Sequence, residues 1–289
     1  MTSELWPNTL VSTGWLTENL SNSNVRILDG STHLLPKPDF SLYDVVPAIE
    51  EYKNAHIPQA QFLDIEHELS TPHPRLHFML PSSDLFAKTM SRYGVSDDSM
   101  VVTYSTTNHW WATRLWWTLR VFGHKNVAVL DGGFQKWQAE NRPIESGEAK
   151  PTNAGSYTAR DPNVSLVADK DSILRHLEGN SVCLINALRR EQHEGQGGVH
   201  YGRRGRITNS INLPALEHVN ADNTFKSIDE LKTIFSDVLP QKEIITYCGG
   251  GIAATSVALA LDMLGHKNVK VYDASLTEWA EDETLPMDV

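Results

Sequence analysis

The sequence predicts an α/β protein made of two tandem copies of one domain, each a mainly parallel sheet with helices on both faces. Three observations carry this. The chain repeats itself: Val101-Val102-Thr103-Tyr104-Ser105 matches Ile244-Ile245-Thr246-Tyr247-Cys248, Phe122-Gly123-His124-Lys125-Asn126-Val127 matches Leu264-Gly265-His266-Lys267-Asn268-Val269, and Asp131 and Trp137 match Asp273 and Trp279. Matches that keep one order along a 289-residue chain point to duplication. Short β-branched strands alternate with helical stretches, the pattern of parallel sheets buried under helices. An apolar content of 40% with eight tryptophans supplies well-formed cores.

In the first copy, Val25–Asp29 reads as a strand and Val46–Tyr52 as a helix. A loop rich in Pro and His (Thr71–Pro81) follows, then a helix over Ser82–Tyr93 capped by Ser82 or Ser83, then the strand Met100–Tyr104. Trp110, Trp111, Trp116 and Trp117 fall on one helix and are expected to fill core and domain interface. Arg142–Ala168 carries prolines and glycines with little periodicity, so it reads as the linker region. The division is 1–145 for the first domain, 146–165 for the linker and 166–289 for the second domain. A helix around Ala168–Leu177 and a strand Val182–Ala187 open the second copy.

The chemistry gathers at Tyr247-Cys248-Gly249-Gly250-Gly251-Ile252-Ala253-Ala254, where a strand ends in a cysteine and three glycines before a helix running through Leu261. Glycine visits positive φ freely, so such a loop can turn its N–H groups inward as an anion-binding nest. The helix N-terminus adds partial positive charge. Both favour a thiolate at Cys248, the nucleophilic form. Cys183 sits in an apolar strand without nearby glycines and reads as structural. In the first copy the equivalent loop starts at Ser105 and has no glycine, cysteine or adjacent base, so that copy reads as silent. A cysteine phosphatase has the same strand–Cys–loop–helix layout with Cys-x5-Arg, but Ala254 stands at the arginine position, which removes the phosphoryl clamp.

The Cys248 loop, the Ala55-His56-Ile57-Pro58-Gln59-Ala60 segment, Asn209-Ser210-Ile211-Asn212-Leu213-Pro214 and the Asp273…Glu278-Trp279 ending together resemble the rhodanese family of sulfurtransferases. The resemblance covers nearly the whole chain. It implies two tandem rhodanese-like domains and a sulfane sulfur carried as a persulfide on Cys248, held by the amides of Gly249, Gly250, Gly251, Ile252, Ala253 and Ala254. It implies a small anionic donor, thiosulfate first and 3-mercaptopyruvate as the alternative. The acceptor would be cyanide or a thiol, a thioredoxin-type protein included. A persulfide carrier serving a protein partner is the rival from another class.

Anionic donors call for arginines, whose planar fork matches them. Arg189, Arg190, Arg203, Arg204 and Arg206 cluster in an otherwise acidic chain, and Arg189, Arg204 and Arg206 are the candidates for donor binding. Three departures from the family stand out. Its Asp-Ala-Arg is Asn186-Ala187-Leu188 here. Its loop Arg-Lys, in the thiosulfate type, is Gly249-Gly250. Its loop serine, in the mercaptopyruvate type, is Gly250, although the serine's aspartate and histidine partners correspond to Asp64 and His77.

A net charge of −11 gives no basic footprint for nucleic acid. No apolar run approaches a membrane span, and Met1–Leu20 lacks a signal-peptide layout. Two cysteines in separate strand-like segments suggest no disulfide framework, which fits a reducing cytoplasm. His73 and His77 are interrupted by Pro74, so no metal pair is expected, and no cofactor is implied.

Overall fold

The computed structural model describes residues 9–150, 152–179 and 182–289. Residues 1–8, Pro151 of the linker and residues 180–181 lie outside them. The first copy has strands β1 (Leu10–Val11), β2 (Val25–Asp29), β3 (Thr32–Pro36), β4 (Tyr43–Pro47), β5 (Gln61–Phe62), β6 (Met100–Tyr104) and β7 (Val127–Leu130). Its helices are α1 (Thr13–Asn19), α2 (Ile49–Asn54), α3 (Ile65–Glu68), α4 (Ser83–Arg92), α5 (His109–Val121) and α6 (Gly133–Ala139). The second copy has β8 (Val167–Ala168), β9 (Cys183–Asn186), β10 (Arg206–Ile207), β11 (Ile211–Asn212), β12 (Ile244–Tyr247), β13 (Val269–Tyr272) and β14 (Met287–Asp288). Between and after them run α7 (Lys170–Gly179), α8 (Arg190–His193), α9 (Ile228–Ile234), α10 (Ala253–Met263) and α11 (Ser275–Trp279).

The duplication is visible in the topology. The sheet order is β1-β7-β6-β2-β5 in one copy and, read from the matching edge, β8-β13-β12-β9-β11 in the other. Every pairing in both five-stranded sheets is parallel. Side chains alternate across the first sheet: Val101 joins Phe86 and Met90 of α4 and Trp111 and Leu115 of α5, while Val102 and Tyr104 join Leu16 of α1, Tyr52 of α2 and Trp137 of α6. Helices therefore cover both faces.

The helix expected over Val46–Tyr52 is replaced by two elements. Val45, Val46 and Pro47 belong to β4, paired antiparallel with β3 from Thr32↔Pro47 to Pro36↔Tyr43, and α2 starts only at Ile49. Adjacent valines favour the extended chain, and a proline keeps its predecessor out of the helical region. β2 and β6 keep their expected bounds, and Ser82 caps α4 through the Leu85 amide, while the helix expected around Ala168–Leu177 begins at Lys170 because Ala168 belongs to β8.

The segment after α6 is strapped to the first copy: Gly155 N–H donates to Ser91 O, Tyr157 hydroxyl to Phe122 O, and Asn163 N–H to Val121 O. The two copies meet face to face along α5 and α10. Thr113 and Thr255 share a 2.8 Å hydrogen bond, and His109 Nε2 lies 2.8 Å from Ser256 Oγ. One apolar cluster runs through the contact, from Trp111 and Leu115 to Ala254, Val257 and Leu261. Trp111, Trp116 and Trp117 are buried in it.

One position shows what the copies no longer share. Asp29 and Asn186 occupy the same place, each paired in register with the tyrosine that ends the neighbouring strand. Asp29 Oδ1 accepts the Ser31 amide at 2.9 Å, and Asn186 Oδ1 accepts the Leu188 amide at 2.9 Å. Asp29 Oδ2 has no partner among the described residues, and burial pushes its carboxyl up to about 6. A buried acid raised in the folded state costs stability above its folded value and nothing below its ordinary value near 4. Asp29→Asn should therefore raise the melting temperature at pH 7, by a gain of up to about 3 kcal/mol, and fade to no effect below pH ~4. An equal shift at both pH values would contradict this account.

Candidate active site

Cys248 follows directly on β12 and is 2% exposed. Its loop is shaped by two positions of positive φ. Gly251 has φ +73, and a Cβ there would lie 2.3 Å from Asp273 O, so only glycine fits. Ser275 has φ +53, uncommon for a residue with a side chain. Its Oγ accepts the N–H groups of Cys248 and Gly251, both at 3.1 Å, and donates to Tyr272 O at 2.7 Å. The Gly251 amide is thus committed to Ser275, not to the sulfur. The amides of Gly249, Gly250, Ile252, Ala253 and Ala254 make no hydrogen bond among the described residues, so they and the α10 N-terminus remain for an anion. The Gly249 carbonyl is clamped by Thr277, through N–H at 2.9 Å and Oγ1 at 2.8 Å.

Cys248 borders a cavity of about 600 Å³ that both copies wall. The first copy contributes the β3–β4 ribbon, His77 and Trp110; the second contributes Leu188, Arg189, Tyr201 and Leu216. The ribbon crosses to the other copy, where the His200 amide donates to Phe40 O at 3.0 Å.

The Rhodanese-like domain family matches residues 12–140 and 171–282. The chain belongs to the rhodanese family. It is 33% identical to mouse thiosulfate sulfurtransferase, covering 93% of this chain and 91% of that one. It is 32% identical to the sulfur carrier protein TtuD of Thermus thermophilus, covering 97% and 96%. The crystal structure of the 3-mercaptopyruvate enzyme SseA of Escherichia coli superposes with a TM-score of 0.81 at 32% identity, covering 93% of this chain and 99% of that one.

Against the expectations for a rhodanese, the arginine cluster disperses. Arg189 alone of Arg189, Arg204 and Arg206 borders the cavity. Arg204 is exposed and lies outside it, and Arg206 sits on β10, opposite Asp288, with Nη1 3.4 Å from His193 O. Arg203 is consumed structurally: its guanidinium donates to the carbonyls of Trp279, Ala280, Asp282 and Leu285. A count of nearby cations in the sequence carries no direction, and here the directions diverge.

The histidine expected to pair with Asp64 pairs elsewhere. His77 Nδ1 is 2.6 Å from Glu66 Oε1, while Asp64 caps α3 and binds His67 at 2.8 Å. Of these residues His77 reaches the cavity and Asp64 does not. Cys183 is half-buried, and burial pushes its thiol up to about 11.

The Ser105 loop of the first copy is filled with its own hydrogen bonds. Ser105 Oγ lies 3.0 Å from Thr107 Oγ1, the Thr106 amide donates to Ser31 Oγ at 2.7 Å, and Gln135 Nε2 donates to the carbonyls of Thr106 and Thr107. It is also a residue longer: Thr103 Oγ1 reaches Ala112 O nine residues on, whereas Thr246 Oγ1 reaches Ala254 O eight residues on.

A residue that sequence reasoning missed ties the loop to the first copy. Arg114 of α5, 1% exposed, places Nη1 2.6 Å from Asp273 Oδ1 and 3.1 Å from Gly251 O, and Nη2 on Phe78 O. Asp273 Oδ2 also accepts the Leu80 amide at 2.9 Å. Among the described residues there is no helix long and apolar enough to cross a membrane, and no group of three His, Cys, Asp or Glu placed to hold a metal.

Arg114→Met leaves Asp273 buried without its cation. It should cost about 3–5 kcal/mol in urea unfolding, and adding Asp273→Leu should cost less than the single change. A single-variant loss below about 1 kcal/mol would mean the pair is not the tie between the copies.

Proposed function

We propose that this rhodanese-type sulfurtransferase works through a persulfide on Cys248, loaded from a small anionic donor at the floor of the shared cavity. The observation that carries the reading is a buried cysteine at that cavity, beside Gly249, Gly250, Ile252 and Ala253, which also line it and whose amides are uncommitted. The Cys248 thiolate attacks the donor's outer sulfur. A Cys–S bond to that sulfur forms, and the donor's bond to it breaks with its electron pair, leaving sulfite or the enolate of pyruvate. A thiophilic acceptor, cyanide or a thiol, then takes the outer sulfur and returns the thiolate.

Thiosulfate brings two negative charges, 3-mercaptopyruvate one carboxylate and a carbon body. Gly249 and Gly250 add no charge, Arg189 is the arginine at the wall, and Leu188, Leu216 and Trp110 line it with apolar surface. That balance favours the singly charged donor. A carrier that loads Cys248 for a protein partner is the second reading, supported by the similarity to TtuD over 97% of the chain. A thioredoxin-type acceptor belongs with this reading, and Arg189 is the donor's anchor in both.

After treatment with donor, mass spectrometry should place one added sulfur on the Cys248 peptide. Cys248→Ser should abolish turnover, and Cys183→Ser should keep most of it. Arg189→Ala should lower kcat/KM for 3-mercaptopyruvate by about tenfold or more, the loss of one charge-assisted contact. Sulfur found on Cys183 would end the assignment. Loading without turnover on any small acceptor would replace the enzyme with the carrier.

A further inference from the structure

Gly249 is a glycine because another residue occupies its side-chain space. A Cβ there would lie 1.9 Å from Tyr201 Cζ and 2.2 Å from its hydroxyl oxygen. The phenol head therefore stands over the first residue after Cys248. Neither partner can withdraw easily. Thr277 clamps the Gly249 carbonyl, and Tyr201 rides on a loop fastened by the Arg203 fork. The next residue, Gly202, has φ +120 and packs so that a Cβ would meet Ala280 O at 2.9 Å. Across the ring, Tyr43 of the first copy sits 6.2 Å away between centroids. Gly250 differs: the nearest atom to an added Cβ is Thr277 Oγ1, at an ordinary 3.8 Å.

Tyr201 and Cys248 line the same cavity. Burial first, then the neighbouring Tyr43 and Cys248, hold the Tyr201 hydroxyl well above the ordinary phenol range, so it keeps its proton as a neutral donor.

We infer that the Tyr201 phenol completes the sulfur cradle, donating a hydrogen bond to the sulfur anion on Cys248 from the space a side chain at position 249 would fill. This rests on the sulfurtransferase reading. When the new S–S bond forms and the donor's bond breaks, negative charge settles on the outer sulfur of the persulfide, and a fixed donor stabilises it without giving up its proton. A neutral phenol adds no cation, in keeping with a singly charged donor.

The test compares single-turnover persulfide formation in four variants. Tyr201→Phe keeps the ring on Gly249 and removes only the hydroxyl. Its rate constant at saturating donor should fall about tenfold to a hundredfold with KM little changed. Tyr201→Ala empties the space, so Gly249 can then be replaced. Tyr201→Ala with Gly249→Ser should recover part of the loss, and Tyr201→Ala with Gly249→Ala should not. A Tyr201→Phe rate equal to wild type, or equal recovery by serine and alanine, would leave the ring as mere filler and overturn the assignment. If wild-type Cys248 takes up no sulfur, the sulfurtransferase reading falls and this inference with it.

Discussion

The buried contact between Arg114 and Asp273 is the constraint on which the rest of the site depends. One guanidinium joins the end of β13, the carbonyl of Gly251 and the Phe78 carbonyl, and its charged plane lies 4.8 Å from the Trp117 ring. Four separate stretches of chain are thereby indexed to a single group. An ion pair taken out of water gives little net stability unless its remaining hydrogen bonds are met, and here most are. The contact fixes geometry: one group holds the Cys248 loop against the end of β13 and the Phe78 carbonyl. The other copy shows the same device without an arginine, with Asp131 accepting the Phe225 amide at 2.8 Å.

That indexing explains how a loop of glycines can be a precise site. Ser275 ties two amides from below, Thr277 holds the Gly249 carbonyl, and Tyr201 presses on the same residue from the cavity. The free amides are those left after these ties, so the cradle is defined by subtraction. Binding groups fixed before the substrate arrives lose little on reorganising. The price is the strained backbone at Ser275.

Much of this was legible in the residues. The repeat gave two equivalent sheets because strand ends and helix ends carry specific side chains, and Tyr-Cys-Gly-Gly-Gly marked the loop because few other sequences fit that turn. What escaped depends on direction and on contacts between distant segments. Arg114 looks like one more residue in a tryptophan-rich helix, and nothing local says that it crosses to the other copy. Tyr201 sits among arginines that drew the eye toward charge, yet Arg203 faces backbone carbonyls and Arg206 lies on a strand. The Val46–Tyr52 stretch misled because a strand and a helix abut there, and its β-branched half pairs with residues ten or more positions back.

The loop around Ser105 shows how far the two copies have become different parts. It is a residue longer than its counterpart, has no glycine, and is knitted by Ser31, Thr107 and Gln135. A thiol at position 105 would lie among hydroxyls and carbonyls already engaged with one another, and the amide turned toward it is that of Thr107, which donates to Ser105 Oγ at 3.0 Å. A loop like that of Cys248 would need one residue fewer there, several glycines and the loss of this hydrogen-bond mesh together. Meanwhile the same copy walls the active cavity with its ribbon and anchors the loop with Arg114. The two halves are therefore not interchangeable: removing the first takes away one wall of the cavity and the anchor of the Cys248 loop.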